Sequence, residues 1–175
     1  INQYTSGNYI KAIDAYNMAR RYDSSYSNYI LLGKMEGFIE LGNFTEYNEQ
    51  LNILNNQKQD IYADVYKCEV ESAYFEKQKR IKQSISKLNQ AISFSKGIYS
   101  KTDRELAKLY AKRAALYNSN KQYNQALKNC DLALQVFLPN LSEDLTNDIW
   151  LEIFCYLNTI VYTVCHFDVK RKRLI

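Results

Sequence analysis

One spacing recurs four times along the chain and constrains its fold more than any other feature. Gly7, Tyr9, Ala12, Tyr16 and Ala19 form the first set, and Gly42, Phe44, Tyr47, Leu51 and Leu54 the second. Lys79, Ile81, Ser84, Leu88 and Ala91 form the third, and Lys121, Tyr123, Ala126, Cys130 and Ala133 the fourth. Each set has a turn residue, an aromatic or Ile two later, a middle residue three beyond that, and two more residues four and seven beyond the middle one. The middle residues Ala12, Tyr47, Ser84 and Ala126 are 35, 37 and 42 residues apart. The i, i+4, i+7 spacing puts Ala126, Cys130 and Ala133 on one helical face, where small side chains let a neighbouring helix approach closely.

Composition agrees with an all-helical chain. Five Gly and one Pro in 175 residues are too few for the turns of a sandwich, barrel or open sheet. With no dense Gly/Pro/Ser tract, disorder and collagen-like structure are also excluded. Upstream of three of the repeated runs the pattern predicts a further helix, over 26–41, 62–77 and 104–118. In the last, Leu106, Leu109, Tyr110, Arg113, Ala114 and Tyr117 recur at three- and four-residue steps. Thr102 and Glu105 form a capping box for it, Gly97 is expected to end the preceding helix, and Pro139 to stop the Ala126 helix. Extra residues are expected in links, at 55–60 and 95–100. The unit is therefore helix A, tight turn, helix B and short link. Neither helix buries its apolar face alone, but stacked neighbours do.

These residues resemble the tetratricopeptide repeat, a unit of 34 residues with aromatics in helix A, a Gly and an aromatic at the turn, two Ala in helix B and a closing Pro. The fullest match is Tyr110, Ala114, Tyr117, Tyr123, Ala126, Ala133 and Pro139. Gly7 to Ala19 matches a turn and helix B. The Leu31–Leu54 unit keeps Phe38, Gly42 and Phe44 but has Tyr47 where Ala is usual. The Cys68–Ala91 unit keeps Phe75, Ser84 and Ala91 but has Lys79 for the turn Gly. The resemblance implies a right-handed superhelical solenoid of about four repeats over 1–139, the first truncated, then a terminal or capping helix and basic tail over 140–175. The pentatricopeptide repeat, which binds single-stranded RNA, is the nearest rival; Ala19, Ala91 and Ala133 late in helix B favour the first family.

Charge and cysteines narrow the function. There are 23 Lys and Arg against 19 Asp and Glu, a net charge of +4, with both signs spread through the middle. A dedicated nucleic-acid binder clusters its basic charge, so no nucleic-acid partner is expected. The dense run Lys170-Arg171-Lys172-Arg173 reads as a solvated end, with a nuclear address or anion-binding tail as the alternative. Cys68, Cys130, Cys155 and Cys165 have no paired spacing and read as buried free thiols in a reducing, cytoplasmic compartment; a cilium, the cytoskeleton or the nucleus also fits. The stretch from Ile149 to Cys165 spans 17 residues, short of the ~20 a bilayer needs. The chain opens at Ile1 in what reads as the middle of a repeat, so a fragment is expected.

Nothing converges as an active site. His166 is the one histidine, and beside Cys165 it lacks further ligands for a metal or partners for nucleophilic catalysis. There is no phosphate-binding glycine loop and no HExxH. No enzyme activity, cofactor or metal is expected. The resemblance implies instead a protein or peptide partner in a groove lined by the A helices. The groove set is Tyr29, Leu32, Glu36 and Ile39, then Tyr66, Glu69, Ala73 and Glu76, then Lys108, Ala111, Lys112, Ala115 and Asn118. Sixteen tyrosines support such a surface, since Tyr offers wide contact area with few rotamers to freeze. Tyr9, Tyr16, Tyr110, Tyr117 and Tyr123 are read as repeat core.

Family members that hold the Hsp70/Hsp90 C-terminal tail use a carboxylate clamp of Lys, Asn and Arg. Here Leu32, Glu36 and Val70 occupy most of those places and only Lys108 and Lys112 fit, so that ligand is not expected. The groove should prefer a peptide acidic toward Lys108/Lys112 and basic or polar toward Glu69/Glu76. The apolar helix of Trp150, Ile153, Phe154 and Leu157 should be covered by a further repeat or a partner subunit. Two alternatives to a peptide-binding scaffold are an architectural segment of a large assembly and an RNA-binding repeat.

Overall fold

A computed structural model describes residues 8–22, 27–98 and 104–137. Among these there are seven helices and no strand: α1 (Tyr9–Tyr22), α2 (Ser27–Glu40), α3 (Phe44–Asn55), α4 (Ile61–Lys77), α5 (Ile81–Ile98), α6 (Arg104–Ser119) and α7 (Tyr123–Phe137). The chain divides into two compact units, residues 1–80 and 81–175. In the first, α1 packs on α2, and α2 on both α3 and α4; in the second, α6 packs on α5 and on α7.

The same turn follows α2, α4 and α6. After α2, Gly42 N–H donates to the Ile39 carbonyl and Asn43 N–H to the Phe38 carbonyl, at 3.0 and 2.8 Å. After α4, Lys79 bonds back to Glu76 and Arg80 to Phe75, both at 2.8 Å. After α6, Lys121 bonds back to Asn118 and Gln122 to Tyr117, at 2.9 and 2.8 Å. This is the Schellman closure, which satisfies the last helical carbonyls and needs a left-handed residue at its corner. That residue is Gly42 at φ 71°, then Lys79 and Lys121, both at φ 60°. The late aromatics Phe38, Phe75 and Tyr117 hold equivalent places in all three turns. Lys79, where the repeat pattern has Gly, keeps the glycine backbone without the glycine.

The repeated middle residues are all buried. Ala12, Tyr47, Ser84 and Ala126 are each exposed by 1% or less. The residue seven later is fully buried at Leu54, Ala91 and Ala133 but exposed at Ala19. Tyr47 fits because its ring stacks on Tyr74, centroids 4.1 Å apart and planes 7° from parallel. Tyr74 in turn meets the edges of Phe44 and Phe75. Around this stack Leu31, Leu32, Met35, Ile39, Leu54, Ala63 and Val70 close the core of the first unit. Burying each large aliphatic there contributes about 2 kcal/mol.

Several expectations shift. Gly97 lies within α5 and needs no left-handed backbone, so it does not end the helix. Residues 95–98 of the expected second link are helical, because α5 runs on to Ile98, with Ser95 buried; 99 and 100 lie outside the described residues. The first link, 56–60, stands, and Asp60 caps α4 by accepting from Ala63 N–H at 2.7 Å. Of the five tyrosines read as core, only Tyr110 is fully buried, and the other four are half-buried. Cys68 and Cys130 are buried free thiols. Pro139, the helix of Trp150, the Thr102 cap, Cys155, Cys165, His166 and the run from Lys170 to Arg173 lie outside the described residues. No helix of the described residues is long and apolar enough to cross a membrane.

Candidate functional site

In the first unit α2 and α4 each carry one partly exposed stripe. On α2 it runs Tyr29, Glu36, Glu40, and on α4 Tyr62, Tyr66, Glu69, Ala73, Glu76, Lys77. Three polar ties join α2 to α4 and to its N-cap Asp60. Tyr29 Oη donates to Asp60 Oδ1 at 3.0 Å. Tyr66 Oη donates to Glu36 Oε2 at 2.6 Å, and Lys77 Nζ meets Glu40 Oε2 at 2.8 Å. Residue numbers rise together on both helices, so α2 and α4 run in the same sense.

Burial and these bonds set the protonation of the stripe. Burial raises the Tyr29 phenol above its usual range, and the Asp60 carboxylate adds to the effect. Burial likewise raises Tyr16 on α1, with Glu36 adding to it. A Cβ at Gly33 would lie 2.4 Å from Tyr16 Cζ. The missing side chain at Gly33 is therefore what lets the Tyr16 ring settle against α2, one turn before Glu36. The hydrogen bond to Glu40 is the main reason Lys77 is raised.

The expected groove set needs correction on α2. Leu32 is at 0% exposure and Ile39 at 1%, both inside the core. The reason is rotational: the exposed stripe continues from Tyr29 through Glu36 to Glu40, and Leu32 and Ile39 point to its buried side. Tyr66, Glu69 and Ala73 do share a half-exposed stripe, with Glu76 exposed. Val70 is fully buried. Asp60, Tyr62 and Tyr16 are additions. Tyr62 was legible, standing one turn before Tyr66, whereas Tyr16 shows only once Gly33 is seen beside it.

In the second unit the half-exposed stripe of α6 is Arg104, Glu105, Lys108, Lys112 and Ala115. Lys108 meets Glu105 at 3.5 Å. Ala111 is fully buried, and Asn118 has a buried Oδ1 with no donor among the described residues. On the opposite side of α6, Arg113 Nε donates to Asn129 Oδ1 and its Nη1 to Asn89 Oδ1, both at 2.7 Å. The guanidinium stands 5.4 Å from the Tyr110 ring centre. Burial lowers Arg113 below its usual range, and Tyr117 and Tyr110 partly offset that.

The two units differ in charge more than the expected even mixture allows. Residues 1–80 carry nine Lys and Arg against eleven Asp and Glu, and residues 81–175 carry fourteen against eight. Among the described residues no group of three or more His, Cys, Asp or Glu is placed to hold a metal. Comparison with protein-family models, curated proteins and solved structures gave no match.

Proposed function

We propose that this chain is a segment of a tetratricopeptide-like solenoid that serves as a non-catalytic scaffold and takes a peptide or partner subunit on the open stripes of its A helices. Three identical turns, four buried middle residues and the common direction of α2 and α4 support the repeat reading. One observation carries the binding reading: the α2–α4 stripe is wide, rich in tyrosine and held in place. Tyr29 and Tyr66 are tied to carboxylates and Tyr62 is half exposed. Rings fixed in this way lose little entropy when a partner covers them. A large assembly is the natural setting for such a segment.

Selection from a random twelve-residue peptide display library tests this. Enriched peptides are expected to shift backbone amide resonances along α2 and α4, and to lose about tenfold in affinity on Tyr62→Ala. No enrichment, as for a permanent architectural segment, or shifts confined to α1 and α3, overturns it.

A further inference from the structure

The corner where α2 and α4 begin is rich in hydrogen-bond acceptors and short of donors. Asp60, exposed at the N-cap of α4, accepts the Tyr29 hydroxyl at 3.0 Å on Oδ1 and 3.3 Å on Oδ2, and the Ala63 N–H at 2.7 Å on Oδ1. Among the described residues no lysine or arginine forms an ion pair with it, and Lys67, the first lysine of α4, is held by Asn55 Oδ1 at 2.6 Å. Asn28 and Gln59, next in sequence to Tyr29 and Asp60, each bury a side-chain oxygen with no donor among the described residues. A carboxylate has room for about four hydrogen bonds, so acceptor capacity is left over. The positive end of α4 does not cancel Asp60, since a helix N-terminus carries about half of a unit charge. Two tyrosines stand at this corner: Tyr62 is 50% exposed, and its phenol adds to the rise of the Tyr29 phenol. The first unit is negative throughout this count, with seven Lys and Arg against ten Asp and Glu among its described side chains.

We infer that Asp60, Tyr29 and Tyr62 take an arginine side chain of the partner polypeptide, its guanidinium bonded to the Asp60 carboxylate and laid on a tyrosine ring. This rests on the scaffold reading above and gives its partner a chemistry at one end of the α2–α4 stripe. A guanidinium brings several N–H donors in a planar fork to a place that lacks donors, and a face that stacks on aromatic rings. The cation is also attracted by the negative face of a tyrosine ring. A lysine ammonium would meet the carboxylate as a point charge, without the fork or the flat face. An acidic segment would meet Asp60 head-on and lie against the charge of the unit. Tyr29 has a second part here, because its hydroxyl bond holds the carboxylate in place.

Titration of the full chain with the capped peptide Gly-Ala-Arg-Ala-Gly, followed by backbone amide resonances, tests the inference. The comparators carry citrulline, the neutral isostere of arginine, or glutamate at the central place. The arginine peptide is expected to shift amides at the start of α2 and α4, to bind at least about fivefold more tightly than the citrulline one, and to weaken as salt is added. Asp60→Asn keeps a side chain that can cap α4, and should lower the affinity about fivefold or more. Tyr62→Leu should lower it about two- to fivefold, and Tyr62→Phe by less, because the ring is kept. Glu49→Gln, which removes a charge from an exposed place on α3, should change it less than about twofold, because long-range charge is screened. Equal binding of the citrulline peptide, tighter binding of the glutamate peptide, or equal damage from Glu49→Gln and Asp60→Asn overturns the inference. Library peptides that map to α2 and α4 without a basic residue, while the arginine peptide leaves the amides around Asp60 unmoved, would sink this inference and leave the scaffold reading standing. Failure of both would sink both.

Discussion

In the middle of the second helix of a pair, the first unit places Tyr47 and the second places Ala126. Both are buried to the same degree, yet they fill the same place by opposite means. Tyr47 lies flat on Tyr74, and a ring stack supplies the volume. Ala126 adds only a methyl group, and with Cys130 and Ala133 it leaves a shallow face that another helix can approach closely. The polar fasteners differ as well. The first unit uses phenols and carboxylates, Tyr66 to Glu36 and Tyr29 to Asp60. The second uses an arginine between two asparagines. A repeat can therefore keep its backbone turn while the packing and the charge behind it change.

The sharpest way to break this comparison is to exchange the two fillings. Tyr47→Ala should cost the first unit about 3–5 kcal/mol, the range for removing a large buried ring. Urea unfolding followed by amide exchange should show protection lost along α3 and α4. Ala126→Tyr should cost about 3 kcal/mol or more in the second unit, since no ring stack makes room for it. A loss under about 1 kcal/mol for Tyr47→Ala would mean that the Tyr74 stack is ornamental and the slot closes on its own.

Arg113 sharpens the second half of the comparison. Arg113→Met keeps most of the apolar stem but removes the donor to Asn129 Oδ1, on a side chain that is 3% exposed. Leaving that oxygen unpaired should cost about 1–3 kcal/mol. Asn129→Leu in the same background removes the orphaned acceptor and should recover part of the loss. Chemical denaturation of the four forms gives the coupling directly. Additive losses would show that the arginine serves only as packing.

Most of the architecture was legible because it depends on spacing. Helix starts and ends read from periodicity fall within a residue or two of α2, α4 and α6, and the middle residues proved buried in every set. Two kinds of feature were not legible. Leu32 and Ile39 lie at groove spacing, but apolar side chains at the edge of a stripe rotate inward, and spacing alone does not say which edge is covered. Tyr16 depends on an absent side chain at Gly33, a contact between residues 17 positions apart on different helices. The charge division was present in the sequence but is diluted when the sum is taken over the whole chain. It appears once the boundary at residue 80 is known.

The second unit should also be the more sensitive to alkali through one identified group. Burial pushes the Cys130 thiol up to about 11 from its ordinary value near 9, with Asp131 adding to the effect. The folded state then holds a proton that the unfolded state gives up, so stability is fully present below pH 9 and falls as pH rises toward 11. Burial also raises Tyr47, so the first unit falls in the same direction, though only above the usual tyrosine range near pH 10. Between pH 9 and pH 11 the loss through Cys130 amounts to about 2 kcal/mol. Cys130→Ala should flatten that part of the pH profile of thermal unfolding in α6 and α7. An unchanged profile would place the alkaline sensitivity elsewhere.

The smallest expected effect tests what the units share. The turns at Gly42, Lys79 and Lys121 have the same hydrogen bonds and nearly the same φ, yet only the first has the residue that tolerates that backbone without strain. A left-handed conformation costs an ordinary L-residue about 1 kcal/mol relative to glycine. Lys79→Gly and Lys121→Gly should each stabilise their turns by about 0.5–1 kcal/mol, reduced by the freedom glycine regains in the unfolded chain. Gly42→Ala should destabilise by a similar amount although nothing lies within 4 Å of its new Cβ, because the strain is in the backbone and not in the packing. Thermal unfolding of the three variants separates these signs. One complication favours the native lysine at the second turn: Arg80, the next residue, lies 4.7 Å over the Phe75 ring, a contact worth about 0.5–1 kcal/mol at an exposed site. If Lys79→Gly loosens that contact, its gain should fall below that of Lys121→Gly. The order of the two lysine variants then measures how far each turn is held by its backbone bonds alone.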